Sequence, residues 1–400
     1  ACVLRAGSEN RAPREAMKAL LNLGFRPFYT LAAVFAVIAM LLWLVSFTGM
    51  AQFSTYLPGV FWHSHEMVFG FSAAVITGFL FTAVRNWTGQ PTPSGALLGA
   101  IALLWIGARV LLVSGTGGLG AILDALFLPV VAVAIAIPIF RSANKRNYKV
   151  VGIIAVMAVL HCVFHLALGG ELPVSLSRTS LFAVIDVITI LFALVGGRVI
   201  PAFTKNAVPG SDPIHKPFVE IAAFGLLILL AATTLVSGVM ALNPWLPAGL
   251  AFLAAIAHAV RLALWQPSLT LSSPLLWMMP VAYSWLPLAL VLRGLAGLGI
   301  VLPGTWIHAL TVGALTSLMI AMMMRSTLGH TGRELVASRA DLVMFLLLQL
   351  AAVLRVLAGL TGNDGTLTLL AGSVWIVAFA LFLLRYLPML MAPRIDGKAG

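Results

Sequence analysis

Eight histidines in a chain of 400 residues carry most of the chemistry this sequence can offer. His63 and His65, with Glu66 beside them, open the stretch 61–89, FWHSHEMVFGFSAAVITGFLFTAVRNWTG. Roughly twenty uncharged residues follow before Arg85-Asn86-Trp87, enough to cross a bilayer. A His-x-His-Glu cluster at the mouth of a membrane helix is costly to keep there, so it calls for a ligand, a partner or a proton pathway. On a regular helix His63 and His65 point about 200° apart, so one can ligate a metal while the other makes a supporting contact. His63 shares its face with Met67, Gly70, Ala74 and Thr77, small enough to admit a flat macrocycle or a close helix; His65 shares its face with Phe69 and Ser72. The blander alternative is an interfacial pair that meets water.

His161 and His165 stand at i and i+4 on one helical face, a spacing that suits two imidazoles on one metal, with Cys162 adjacent. The alternative is a pair facing a wet loop near residue 169. His308 follows Trp306 and shares its face with Thr311, Val312 and Leu315; it reads as a ligand or as an interfacial histidine in an aromatic belt. His258, on a small-residue surface, reads equally as a ligand or as a hydrogen bond between helices.

The elements that must position these residues are membrane helices. The chain is 61% hydrophobic and 9% charged, where a soluble domain carries about a quarter charged residues. Apolar runs predict about twelve spans, near residues 27–49, 61–84, 93–114, 117–140, 148–168, 178–200, 216–239, 244–265, 274–296, 304–324, 339–360 and 368–391. Two cysteines, Cys2 and Cys162, are too few for a disulfide framework or an iron–sulfur motif. Residues 1–26 are polar and basic, without the apolar core of a cleavable signal peptide. The formal charge of +12 does not point to nucleic acid, because Lys and Arg in so apolar a chain sit in short loops and set orientation. With the N-terminus inside, all but four of the 24 basic residues fall on the inner side; the exceptions are Arg109, Arg178, Arg293 and Arg355. Both termini are therefore expected in the cytoplasm.

Depth follows from helix rise. His63, His65, Glu66, His161, His165 and His308 all fall toward the outer face, with Asp124 and Asp186 in the outer half and Arg109, Arg293 and Arg355 near outer helix ends. Intramembrane ionisable residues usually face a bundle interior and mark function, so a metal or cofactor site is expected in the outer third. Asp186 and Asp124 are left with three roles: pairing with outer arginines, carrying protons, or orienting a histidine N–H. The Met322-Met323-Met324 run reads as packing. The stretch from Arg325 to Arg333, with His330, reads as an anion-binding turn or as an ordinary basic inner loop. Catalytic Ser-His-Asp and dinucleotide patterns have no support, and no internal repeat is convincing.

With these residues laid out, the chain resembles the NnrS family over essentially its whole length. The resemblance is carried by Gly24-Phe25-Arg26-Pro27-Phe28, by Trp62-His63-Ser64-His65-Glu66-Met67-Val68-Phe69-Gly70, and by Gly78-Phe79-Leu80 with Asn86-Trp87-Thr88-Gly89. It continues in Gly196-Gly197-Arg198-Val199-Ile200-Pro201-Ala202-Phe203-Thr204, His308-Ala309-Leu310-Thr311-Val312-Gly313 and the 325–333 stretch. The resemblance implies a membrane protein holding haem and copper, associated with bacterial nitric oxide metabolism, denitrification and protection against nitrosative stress. It also implies a distant likeness to the twelve-helix haem–copper oxidase architecture, although the paired His-His and His-Pro-Glu-Val-Tyr elements of an oxidase copper centre are lacking.

The expected protein is thus all-α: a polytopic bundle of about twelve transmembrane helices over 27–391, with cytoplasmic segments at 1–26 and 392–400, in a bacterial inner membrane. Expected cofactors are haem b, with His63 or His65 and His308 as ligands, and copper as a second metal at His161 and His165. His258 stands as a further candidate ligand, and Glu66, Asp186 and Arg109 would tune the site. Nitric oxide or a related small gas is the expected ligand. Turnover, sensing and sequestration are left open, as is the electron donor. The rival is a twelve-helix secondary transporter without haem, which needs polar groups nearer the midplane and broken helices.

Overall fold

In a computed structural model, residues 11–398 are described except 54, 55, 58, 115, 116 and 363. The described residues form helices and no strands. Twelve helices are long and apolar enough to cross a membrane, which makes this a multi-pass membrane protein. They are α1 (Phe25–Phe47), α2 (Val60–Thr88), α3 (Gly95–Val113), α4 (Gly117–Arg141), α5 (Lys145–Leu168) and α6 (Ser175–Ala207). The others are α7 (Pro217–Ser237), α8 (Trp245–Leu264), α9 (Pro274–Gly297), α10 (Pro303–His330), α11 (Arg339–Thr361) and α12 (Gly365–Met391). A short helix, Arg11–Leu20, precedes them. Of the end segments expected at 1–26 and 392–400, residues 1–10, including Cys2, and 399–400 lie outside the described residues.

Helices are the form that satisfies every backbone group inside lipid, so each apolar run becomes one helix. Three of them overrun the limits their hydropathy suggests. Helix α2 continues through Arg85-Asn86-Trp87 and stops at Gly89, which takes the left-handed conformation at φ 66°. Helix α6 passes through Pro201 to Ala207. Helix α10 carries Arg325 to His330 as helix rather than loop, and its end is closed by Gly332 at φ 78° with Arg333 N–H donating to Leu328 O at 2.9 Å. A helix ends where its backbone is capped, not where its apolarity runs out.

Two helices change pitch just after a histidine. In α2 the residues after His65, Glu66–Ser72, form a π-helix; in α10 the residues after His308, Ala309–Thr316, do the same. The wider turn is matched by hydroxyls that donate five residues back: Ser72 to Met67 O at 2.8 Å and Thr316 to Thr311 O at 2.9 Å. Single π turns concentrate at functional sites. The three most buried spans are α2, α6 and α10, at 89%, 83% and 67% of an 18-residue window, so burial peaks every fourth helix.

The helices divide into two compact units. The first comprises Ala1–His165, Met323–Leu335 and Phe379–Gly400; the second comprises Leu166–Met322 and Val336–Ala378. Within the first, Gly24 and Gly78 let α1 and α2 approach: a methyl on Gly24 would strike Phe81, and one on Gly78 would strike Phe28 and Tyr29. Within the second, Gly196 and Gly197 clear space for Tyr283 and Arg261.

Candidate metal centre

The first unit buries a cluster of His65, Asp124, His161 and His165, each at most 7% exposed. Their ligand atoms all lie within 4.8 Å of one another. His65 comes from the first turns of α2, Asp124 from α4, and His161 and His165 from adjacent turns of one face of α5. Three Nε2 atoms and one carboxylate oxygen converge. Asp124 Oδ2 lies 2.9 Å from His65 Nε2 and 3.1 Å from both His161 Nε2 and His165 Nε2. His161 Nε2 is 3.2 Å from His65 Nε2 and 3.1 Å from His165 Nε2. For four donors about 2.0–2.1 Å from a central ion, a tetrahedron has edges of about 3.3 Å. Five edges of this shell are close to that length.

The surroundings fix the proton on His65. His65 Nδ1 is 3.0 Å from Glu66 Oε1, so it donates to that carboxylate. Neutral His65 then presents its Nε2 lone pair to Asp124 Oδ2, an acceptor facing an acceptor. His165 Nδ1 lies 3.0 Å from the Tyr56 hydroxyl. Burial pushes the Tyr56 phenol above its ordinary pKa, which keeps it neutral. His161 Nδ1 is buried without a hydrogen-bond partner among the described residues, its ring stacked on Phe69 at 3.7 Å. Arg109 joins the two acids, with Nη1 donating to Glu66 Oε2 at 2.9 Å and Nη2 paired to Asp124 Oδ1. Asp124, Glu66 and Arg109 sum to one negative charge with the histidines neutral. A cation between the Nε2 atoms and Asp124 Oδ2 would resolve both the facing lone pairs and the charge. A protonated His65 would balance the charge, but would leave His161 and His165 Nε2 competing for the same oxygen.

Local sequence explains the assembly. Helices α3 and α4 pack against each other, which brings Arg109 opposite Asp124. Gly70 leaves room for the pair above it, since a methyl there would meet Phe35, Glu66 Oε2 and Arg109 Nη1. Its carbonyl accepts from Trp105 Nε1 at 3.2 Å. Gly117 does the same for Tyr56. Such partners on the far side of ligating histidines set tautomer and orientation.

The other residues singled out from the sequence lie elsewhere. His63 stacks on Trp43 at 4.4 Å, on the opposite face of α2 from the cluster. His258, Asp186 and His308 belong to the second unit. His258 Nδ1 is 2.7 Å from the Tyr283 hydroxyl, which also accepts from Arg261 Nη1 at 2.8 Å. Asp186 pairs with Arg293 and accepts from Thr234 at 2.6 Å. His308 Nδ1 is 2.7 Å from Gly304 O and 3.4 Å from Arg355 Nη2. Cys162 is not part of the cluster; its thiol lies 4.0 Å from Ala125 O. The sequence reading left Asp124 among three roles and passed over Tyr56. A lone acid in an apolar span was the signal for the first; the second lies in a connection with no distinguishing pattern.

Twelve apolar helices and a buried cluster of three imidazoles and a carboxylate define a polytopic membrane protein with a site that could hold a metal ion. The chain belongs to the NnrS family: the family model described as NnrS protein matches residues 19–394. No curated protein matches it.

Proposed function

We propose that this protein holds a redox-active metal, copper, at His65, His161, His165 and Asp124, and that with a b-type haem it handles nitric oxide and limits nitrosative stress. The observation that carries the metal reading is the contact of His65 Nε2 with Asp124 Oδ2 at 2.9 Å while Nδ1 is committed to Glu66. Imidazole-rich sites suit Cu, Zn, Fe and Ni, and copper stands at the top of the divalent affinity order. Copper there would supply one-electron chemistry and affinity for a small gas ligand. The protein's own contribution is a dry pocket, three imidazoles held with Nε2 inward, and a carboxylate whose second oxygen is tied to Arg109. Haem b rests on membership of the NnrS family. The charge bias supports both termini in the cytoplasm, helix rise from those ends supports a metal in the outer third, and the family supports a bacterial inner membrane.

The test is elemental analysis of detergent-purified protein together with reduced-minus-oxidised absorption spectra before and after nitric oxide. Copper near one per chain, lost in His161→Ala, and a Soret band that shifts with the gas are expected. Wild-type protein that takes up no transition metal from a supplemented medium would overturn the copper assignment.

A further inference from the structure

The first unit has a second polar centre, where the chain's last residues return to the start of α1. Arg26 is 1% exposed. Its Nη1 closes the end of α12 by donating to Leu390 O at 2.9 Å and Ala392 O at 2.6 Å. Its Nε is buried without a hydrogen-bond partner among the described residues, and so is Nη1 of Arg333. Arg394 donates from Nη1 to His330 O at 3.1 Å, and Ile395 N–H donates to Thr331 O at 3.2 Å, tying the tail to the end of α10. The His330 ring packs against Phe25 at 5.4 Å. The charges that Arg26 feels are two more cations, Arg333 and Arg394. The carboxylate nearby, Asp396, is committed to Arg394, with Nε donating to Oδ1 at 2.8 Å and Nη2 to Oδ2 at 2.5 Å. That guanidinium holds Asp396 well below the usual carboxylate range, so it stays ionised and engaged.

Three guanidiniums and one carboxylate leave an excess of positive charge with buried N–H groups unmet. A guanidinium N–H removed from water and left unpaired is costly, and paired Arg forks match the oxygens of phosphate. We propose that Arg26 and Arg333 form a binding site for a phosphate oxyanion, with His330 and Arg394 completing its rim. The oxyanion comes either as the headgroup of an anionic phospholipid or as a free phosphate. The charge bias assigns this end of the unit to the cytoplasmic face, where both are present. The site is separate from the histidine cluster and does not depend on what that cluster binds.

The experiment uses the full chain in two settings. In delipidated detergent, thermal unfolding is followed against inorganic phosphate. In phosphatidylcholine nanodiscs with and without phosphatidylglycerol, retained lipid is counted by native mass spectrometry. Arg333→Gln is the informative variant, because the Arg333 side chain makes no hydrogen bond or ion pair to the described residues that the fold would lose. Arg333→Lys, which keeps the charge and loses the fork, guards against a folding artefact. One probe is expected to bind the wild type and to bind Arg333→Gln about tenfold more weakly, with Arg333→Lys between. Phosphate saturation identifies the soluble anion; retention of phosphatidylglycerol without a phosphate effect identifies the lipid. Equal binding by wild type and Arg333→Gln, or binding of neither probe by the wild type, overturns the proposal.

Discussion

Two of the buried polar centres in this chain, the histidine cluster of the first unit and the Arg261 network of the second, are built on opposite rules. In the second unit Arg261 meets acceptors only. Nε and Nη2 donate to Glu220 at 2.8 and 2.7 Å, and Nη1 donates to Ala193 O and to the Tyr283 hydroxyl, each at 2.8 Å. Its guanidinium also lies over the rings of Phe224 and Trp265, 4.9 Å from each centroid. At Arg261 donor meets acceptor throughout, so its charge is met by protein atoms alone, although His258 Nε2 and Trp265 Nε1 nearby have no hydrogen-bond partner among the described residues. In the first unit His65 Nε2 and Asp124 Oδ2 are both acceptors once Glu66 has claimed the His65 proton. Both places are buried; the direction of the hydrogen bonds separates an arginine met by acceptors from a cluster in which acceptor faces acceptor.

The largest effect that would break this contrast is at the cluster itself. His161→Ala removes a ligand and should reduce bound metal to below about a tenth of the wild-type content, read by elemental analysis of monodisperse protein. Metal retained in full would place the ion elsewhere. Next in size, Arg261→Met strips the second centre of its donors and should cost about 3 kcal/mol of stability with metal content unchanged. Thermal unfolding of the same preparations checks the first half, and metal loss in that variant would refute the division of roles. Glu66→Gln sharpens the comparison: the amide still fits, but the His65 tautomer is no longer fixed, and affinity should fall roughly 10- to 100-fold. Competition with a chromophoric chelator measures it. Smallest is Tyr56→Phe, which removes one hydroxyl from His165 and should weaken affinity by less than about tenfold by the same reasoning, in the same chelator assay.

The fold was legible because most apolar runs in this chain are bounded by Gly or Pro, while the basic stretch 141–147 separates α4 from α5, and all twelve spans follow from that. What hydropathy cannot show is where a helix stops once it has left the apolar layer, as Arg325 to His330 demonstrate. The cluster was legible in part. The i, i+4 pair His161 and His165 needs only helical spacing. Choosing between His63 and His65 needs to know which neighbour each face of α2 meets, and Trp43 on one side and α5 on the other are tertiary facts. Depth reckoning grouped His308 with the others because it yields a position along the membrane normal and nothing within the plane. Asp124 and Arg109 find each other because α3 and α4 pack together, and the sequence shows only the short Gly-rich stretch that separates the two apolar runs. Tyr56 carries no local signature.

The way the units share the chain bears on the order in which a ribosome delivers them. All four residues of the histidine cluster are contained in Ala1–His165, whereas the first unit is completed only by Met323–Leu335 and Phe379–Gly400. Synthesis proceeds from the N-terminus, so the residues of the cluster reach the membrane long before the carbonyls of Leu390 and Ala392 arrive to receive Arg26. The growing chain must hold Arg26 in water or against lipid headgroups until that late moment, while the cluster is already in place for whatever delivers its ion.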